Sequence, residues 1–207
     1  MKFTDTISDL AELRAVTGEP ADLARKKQIA HLDAHCREFI AHAPFLLLGT
    51  ADATGRCDVS PKGDAPGFVL VVDDHHLVIP DRPGNKRLDG MRNILENPHV
   101  GLIFLVPERG ETLRVNGRAA ITRDPELLAR MEVGGKRPLL AIGVEVEEVF
   151  LHCAKAFKRS GLWEPGRWPD LAALPSSARI FLDHMGADMS EEEMARRIDE
   201  GYRTRLY

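Results

Sequence analysis

Strand-length apolar runs follow one another along the middle of this chain, joined by tight turns and interrupted by few helices, and this order restricts the fold more than any other feature. Residues 45–51 (FLLLGTA) end in Asp52-Ala53-Thr54-Gly55, a turn whose glycine is expected at positive φ. Residues 56–60 return as a second strand, and residues 67–73 (GFVLVVD) and 76–79 make another hairpin. Residues 99–106 (HVGLIFLV) are strongly apolar, Pro107-Glu108-Arg109-Gly110 is a turn, and residues 112–121 (TLRVNGRAAI) alternate as a long strand. Residues 139–151 alternate in their second half, with Val144, Val146 and Val149 grouped on one side. Six or seven strands in hairpin order predict a mainly β chain, an antiparallel sheet closed into a barrel with flanking helices, rather than a parallel α/β sheet.

Helical periodicity lies at the two ends. Residues 1–43 read as helical, and the run 23–40 places Ile29, Leu32, Cys36, Phe39 and Ile40 on one face before Pro44 stops it. Residues 86–96 form a helix ending at Asn97-Pro98, and residues 125–133 form another behind Asp124, a natural N-cap. Residues 152–160, a bend rich in Trp and Pro over 163–169, and two closing helices follow; the last begins at Ser190, with Glu193 completing a capping box. With no repeat or linker, the chain reads as one domain over 1–207: a helical segment 1–43, a barrel 44–151 and a helical extension 152–207.

Composition narrows the function classes. A net charge of -4 provides no global field for nucleic acid or anionic membrane, so any anion site must be local. The acidic start differs from a signal peptide, and the apolar runs are too short to span a bilayer. Cys36, Cys57 and Cys153 are odd in number and form no CxxC pair, which favours reduced thiols in a cytoplasmic setting; Cys57 and Cys153 read as small packing residues. Gly134-Gly135-Lys136 resembles the end of a phosphate loop, but Arg130 and Arg137 stand where a glycine and a Ser or Thr are required. His31, His35 and His42 fall on one side of the first helical segment; they read as a solvated face, and no metal site is expected.

Two segments combine cations with turn residues. Asp58-Val59-Ser60-Pro61-Lys62-Gly63-Asp64 ends a strand in a hydroxyl, a fixed turn and a lysine. Ile79-Pro80-Asp81-Arg82-Pro83-Gly84-Asn85-Lys86-Arg87 runs from a strand into a helix, collecting Arg82, Asn85, Lys86 and Arg87 near that helix's start. Cations there oppose the helix dipole, a conflict that a bound phosphate monoester of about two negative charges removes.

The ordered motifs FLLLGTAD, TG, DVSPKGD, GFV, LVIPDRPGNKR, NILENPHVGLIFLVP and LRVNGRA resemble the pyridoxamine 5′-phosphate oxidase-like flavoproteins, over about residues 40–170. HCAKAFKRSGLW is similar to the C-terminal signature of one subgroup. The resemblance implies a six-stranded split barrel that forms a homodimer, with two FMN sites at the interface. It implies Ser60 and Lys62 beside the flavin, and Arg82, Asn85, Lys86 and Arg87 on its phosphate. It also implies Arg114 and Asn116 near the interface, and Lys158, Arg159, Ser160 and Trp163 approaching from the partner subunit. Trp163 either stacks on the ring or anchors a core or interface. The implied activity is two-electron transfer through flavin N5 with a small-molecule substrate and NAD(P)H as a possible donor. Lys62 then either stabilises charge on the reduced ring, a catalytic role, or forms a salt bridge to Asp64 or Asp58. A haem or flavin carrier, with His152 as a possible axial ligand, and a deazaflavin reductase are the alternatives. The Arg-x-His ending of true pyridoxamine-phosphate oxidase is not found in the closing GYRTRLY, which leaves the substrate open.

Overall fold

A computed structural model describes residues 3–207. Three short helices come first: α1 (Leu10–Thr17), α2 (Asp22–Lys26) and α3 (Ala34–His42). The sheet strands are β1 (Phe45–Ala51), β2 (Cys57–Gly63), β3 (Leu70–Val71), β4 (His76–Pro80), β5 (His99–Leu105), β6 (Thr112–Thr122) and β7 (Ala141–His152). Helix α4 (Asp89–Glu96) follows β4, α5 (Pro125–Arg130) follows β6, and α6 (Lys155–Ser160), α7 (Ser177–Met185) and α8 (Glu191–Thr204) follow β7.

All seven strands form one antiparallel sheet in the order β2-β1-β5-β6-β7-β4-β3. The expected class is therefore present, with seven strands in place of six. The seventh is β3, whose pairing covers only Leu70 and Val71 of the expected 67–73 run. The terminal strands β2 and β3 do not pair with each other, which leaves the sheet split. Pro61 is tolerated in β2 because an edge strand needs no N–H on its outer side.

Alternation within the strands sends Leu46, Leu48, Leu77, Ile79, Leu102, Phe104 and Val115 into one core. Each such side chain contributes roughly 1.5–3 kcal/mol when fully buried. Val144, Val146 and Val149 all join it although the last step is three residues. A β-bulge explains the step: Asn116 pairs with Glu148 and Gly117 with Val146, so Glu147 is the extra residue.

The N-terminal helical face proves discontinuous. Helix α3 starts only at Ala34, where the Asp33 carboxylate accepts from the Cys36 N–H at 2.8 Å. Ile29 instead forms a bridge with Val149 on β7, with its N–H donating at 3.0 Å and its carbonyl accepting at 2.7 Å. Sheet pairing thus breaks the periodic run, while Cys36, Phe39 and Ile40 still reach the core from α3. Residues 1 and 2 of the expected helical segment lie outside the described residues.

Two other boundaries move for local reasons. The helix expected from residue 86 begins at Asp89, because Lys86 and Leu88 are held left-handed at φ 61° and 59°. The helix expected over 125–133 keeps its Asp124 cap, which accepts from the Glu126 and Leu127 N–H groups, but ends at Arg130. At Ser190 only half of the capping box forms: the hydroxyl accepts from the Glu193 N–H, while the Glu193 carboxylate pairs with Arg197. Helices α7 and α8 pack on each other through Ala178, Leu182 and Met194, a cluster separate from the main core. Among the described residues no helix is long and apolar enough to cross a membrane.

Candidate functional site

The split in the sheet opens onto a cleft of about 600 Å³, within the range of small-molecule sites. Strand β2 supplies one wall; strand alternation puts Asp58, Ser60 and Lys62 on its partly buried face. The opposite wall is the segment leaving β4, from Pro80 to Leu88, and the first turn of α4 closes the base. Asn93 of α4 fixes that turn by donating from Nδ2 to Oγ1 of the buried Thr50 at 3.0 Å.

An ion pair ties the two walls together. Arg82 Nε donates to Asp64 Oδ2 at 2.6 Å, and the two side chains are 15% and 2% exposed. Asp64 Oδ1 accepts from the Ala65 N–H at 2.8 Å and from the Tyr207 hydroxyl at 2.6 Å. Burial alone pushes the Asp64 carboxyl up, but the Tyr207 hydroxyl, the Ala65 N–H and the Arg82 guanidinium outweigh it and hold the group below its ordinary value. Its stabilising effect is therefore present above the unfolded-state carboxyl pKa and is lost as pH falls through the depressed folded value.

Six cations line the cleft, Lys62, Arg82, Lys86, Arg87, Lys136 and Arg137, against three carboxylates, Asp58, Asp81 and Asp89. A chain of net charge -4 has thus gathered a local positive excess. Part of it is neutralised internally, more than the sequence suggested: besides the Arg82–Asp64 pair, Arg87 Nε donates to Asp89 Oδ2 at 2.8 Å. Among the described residues Lys62 and Lys86 make no salt bridge, so the pairing of Lys62 with Asp64 or Asp58 does not occur. The Asp81 carboxyl is raised by burial, an effect that the charge of Lys62 opposes. Asn85 stabilises the loop by accepting the Arg87 N–H on Oδ1 at 3.0 Å. The left-handed backbone at Lys86 and Leu88 costs about 1–2 kcal/mol per residue, and strain of this kind gathers at binding loops.

Six of the residues singled out in the sequence, Ser60, Lys62, Arg82, Asn85, Lys86 and Arg87, therefore meet in one cleft. The other six lie apart from it within one chain. Arg114 and Asn116 of β6 both donate to Glu148 Oε1 of β7, at 2.8 and 2.9 Å. The Arg114 guanidinium also lies over Phe150 at 4.2 Å, and its Nε is buried with no hydrogen-bond partner. Lys158, Arg159 and Ser160 end α6, where the Lys158 and Arg159 carbonyls accept from Arg167. Trp163 stacks on Phe157 at 5.6 Å and donates from Nε1 to the Arg109 carbonyl at 2.8 Å.

Four contributors to the cleft, Asp81, Lys136, Arg137 and Tyr207, were not legible as site residues. Asp81 stands in its motif with no local signal of a role. Lys136 and Arg137 come from the rejected phosphate-loop look-alike, where Gly134 and Gly135 adopt φ 55° and 76° and turn the chain toward the cleft. Tyr207 had no local signal, since its partner Asp64 is 143 positions away. Among the described residues no His lines the cleft. His31 lies before α3 with its ring 6.3 Å from that of His75, while His35 and His42 are on α3, and no group of three potential ligands converges on a metal site among the described residues.

No curated protein sequence matches the chain. Among solved structures, HupZ of Group A Streptococcus is 19% identical, with 57% of this chain and 92% of that chain covered at a TM-score of 0.47. HutZ, the heme storage protein of Vibrio cholerae, is 19% identical over 58% of this chain and 93% of its own, at a TM-score of 0.43. An F420 reductase is 21% identical over 56% and 94%, at a TM-score of 0.38. The sequence profile described as pyridoxamine 5′-phosphate oxidase matches residues 32–153, more than half of the chain. That span runs from the residue before the α3 cap to the end of β7 and includes both walls of the cleft, and on this ground the chain belongs to the pyridoxamine 5′-phosphate oxidase family.

Proposed function

We propose that the cleft binds FMN by its phosphate and that the protein is an FMN-dependent oxidoreductase acting on a small molecule. The observation that carries this reading is the convergence of Lys62 from β2 with Arg82 and Lys86 from the segment after β4 on one cleft, where among the described residues neither lysine is paired with a carboxylate. Their donors suit a phosphate monoester. Asp64 takes only Nε of Arg82, and among the described residues the two Nη groups make no hydrogen bond. Lys86 lines the same cleft and, among the described residues, makes no ion pair, and the start of α4 borders the same space. The cleft is large enough for a flavin and offers the apolar side chains of Phe68 and Leu139.

Bound FMN would supply two-electron chemistry at N5. The chain's own part is anchoring and electrostatics. Arg82 and Lys86 hold the phosphate, Asn85 keeps their loop folded, and Lys62 places an unpaired positive charge where negative charge on a reduced ring is stabilised. A nicotinamide serves as the electron donor in this reading.

We also infer a homodimer. The Arg114–Asn116–Glu148 cluster and the segment from Lys158 to Trp163 lie outside the cleft of their own chain, and Arg114 Nε is buried without a partner. A second copy that carries these groups to the cleft would complete the site.

An absorbance spectrum of the protein mixed with FMN tests the reading. Bound flavin gives bands near roughly 370 and 450 nm that bleach with NADH or NADPH. A Soret band after haem addition with no flavin uptake, or turnover only with a deazaflavin, would reject it. Changing Arg82 and Lys86 together to Ala is expected to weaken FMN binding more than about a hundredfold, since charge-assisted contacts contribute roughly 1.5–3 kcal/mol each. Wild-type affinity in that variant would place the phosphate elsewhere.

A further inference from the structure

We propose that Tyr207 is a positioning residue for phosphate recognition, acting through Asp64 to aim Arg82 into the cleft. The inference rests on the FMN reading above and extends it to a residue outside every motif of the sequence.

The geometry is specific. Tyr207 touches both members of the ion pair: its hydroxyl donates to Asp64 Oδ1 at 2.6 Å, and the Arg82 guanidinium lies over its ring at 5.6 Å. Its backbone oxygen accepts from Lys136 Nζ at 2.9 Å, a second contact with a residue that lines the cleft. The Asp64 carboxylate is almost fully buried and spends Oδ1 on Tyr207 and Ala65, which leaves Oδ2 facing Arg82 Nε. A guanidinium gripped at Nε and covered on one face by an aromatic ring has its two Nη groups directed along one line. Those groups are the ones available to an anion. A buried carboxylate that lost one of its donors would rotate, and Arg82 would follow it.

This arrangement also accounts for a charge problem. Arg82 is the most buried of the ion-paired arginines, and an unpaired guanidinium there would be costly. Pairing it with a carboxylate that has two further donors, the Ala65 N–H and the Tyr207 hydroxyl, lets Arg82 stay charged and fixed before the ligand arrives. The Tyr207 phenol is raised above its ordinary value by its hydrogen bond to Asp64, so it remains a donor through neutral pH.

Riboflavin and FMN share the ring and ribityl chain and differ by the phosphate, which makes the ratio of their affinities a direct readout. Fluorescence quenching titrations of both ligands on the full chain, for wild type, Tyr207→Phe and the Arg82→Ala/Lys86→Ala double variant, test the proposal. Thermal melting confirms that each variant is folded. Tyr207→Phe keeps the ring and removes the hydroxyl. It is expected to lower the preference for FMN over riboflavin about fivefold, the size of one net hydrogen bond, with riboflavin affinity unchanged. Equal weakening of both ligands would make Tyr207 a passive wall and overturn the proposal. An unchanged ratio in Tyr207→Phe, with the ratio lost in the double variant, would overturn it while leaving the phosphate site standing. A double variant that keeps the wild-type ratio would overturn the phosphate site and the proposal together.

Discussion

Thiol environments show how strongly a single residue depends on its neighbours. Cys36 lies on the buried face of α3, and desolvation, reinforced by its hydrogen-bonded neighbour Asp33, pushes its thiol up to about 12. Cys57 and Cys153, expected as packing residues, are exposed instead. The Cys153 thiol is lowered by the Lys155 N–H and by the charges of Lys155 and Lys27. With iodoacetamide at neutral pH, two thiols of the folded protein are expected to react, Cys153 ahead of Cys57, and Cys36 only after denaturation. Mass mapping of the alkylated peptides checks this; early modification of Cys36 would contradict its burial. Cys36 was legible from helical spacing. The exposure of the other two was not, because Cys57 begins an edge strand and Cys153 follows the end of β7, where alternation no longer reports burial.

Elements end where backbone geometry changes, and two such places shape this protein. The first is the bulge between β6 and β7. A Cβ on Gly117 would lie 2.1 Å from the Glu145 carbonyl oxygen, a backbone atom that cannot step aside without breaking the ladder. Gly117→Ala is therefore expected to destabilise the fold by about 1–3 kcal/mol, read as a lower midpoint in calorimetry. An unchanged midpoint would mean that the bulge relaxes freely. The second is the start of α4, where left-handed Lys86 and Leu88 delay the helix and let the basic loop stand clear of it. The alternating strands and the Asp124 cap were readable because each depends on a few adjacent residues. The broken run before α3 was not readable, since Ile29 leaves helical periodicity to pair with Val149, about 120 positions away.

Across the whole molecule, the seven-stranded sheet leaves its ends unjoined, and one buried ion pair between the segments after β2 and β4 bridges the gap. The apolar side chains of Trp168, Leu171 and Leu174 lie exposed after α6, more than half accessible in each case. Together with the unpartnered Arg114 Nε, they fit the two-copy assembly proposed for the site. Light scattering coupled to size exclusion is expected to give about twice the 23.0 kDa chain mass. A single-chain mass at micromolar concentration, with FMN still bound, would remove the role given to Lys158, Arg159, Ser160 and Trp163 across an interface.

Local patterning in the sequence determined the β class, the hairpin order, the helix caps at Asp124 and Ser190 and the two cationic segments, because alternation, turns and caps act over a few residues. Only tertiary structure decided that those segments face each other, that Arg82 and Arg87 are already paired with carboxylates, and that Lys136 and Tyr207 join them. Charge complementarity acts through space, and the 143 positions between Asp64 and Tyr207 leave no periodic trace of the 2.6 Å hydrogen bond that links them.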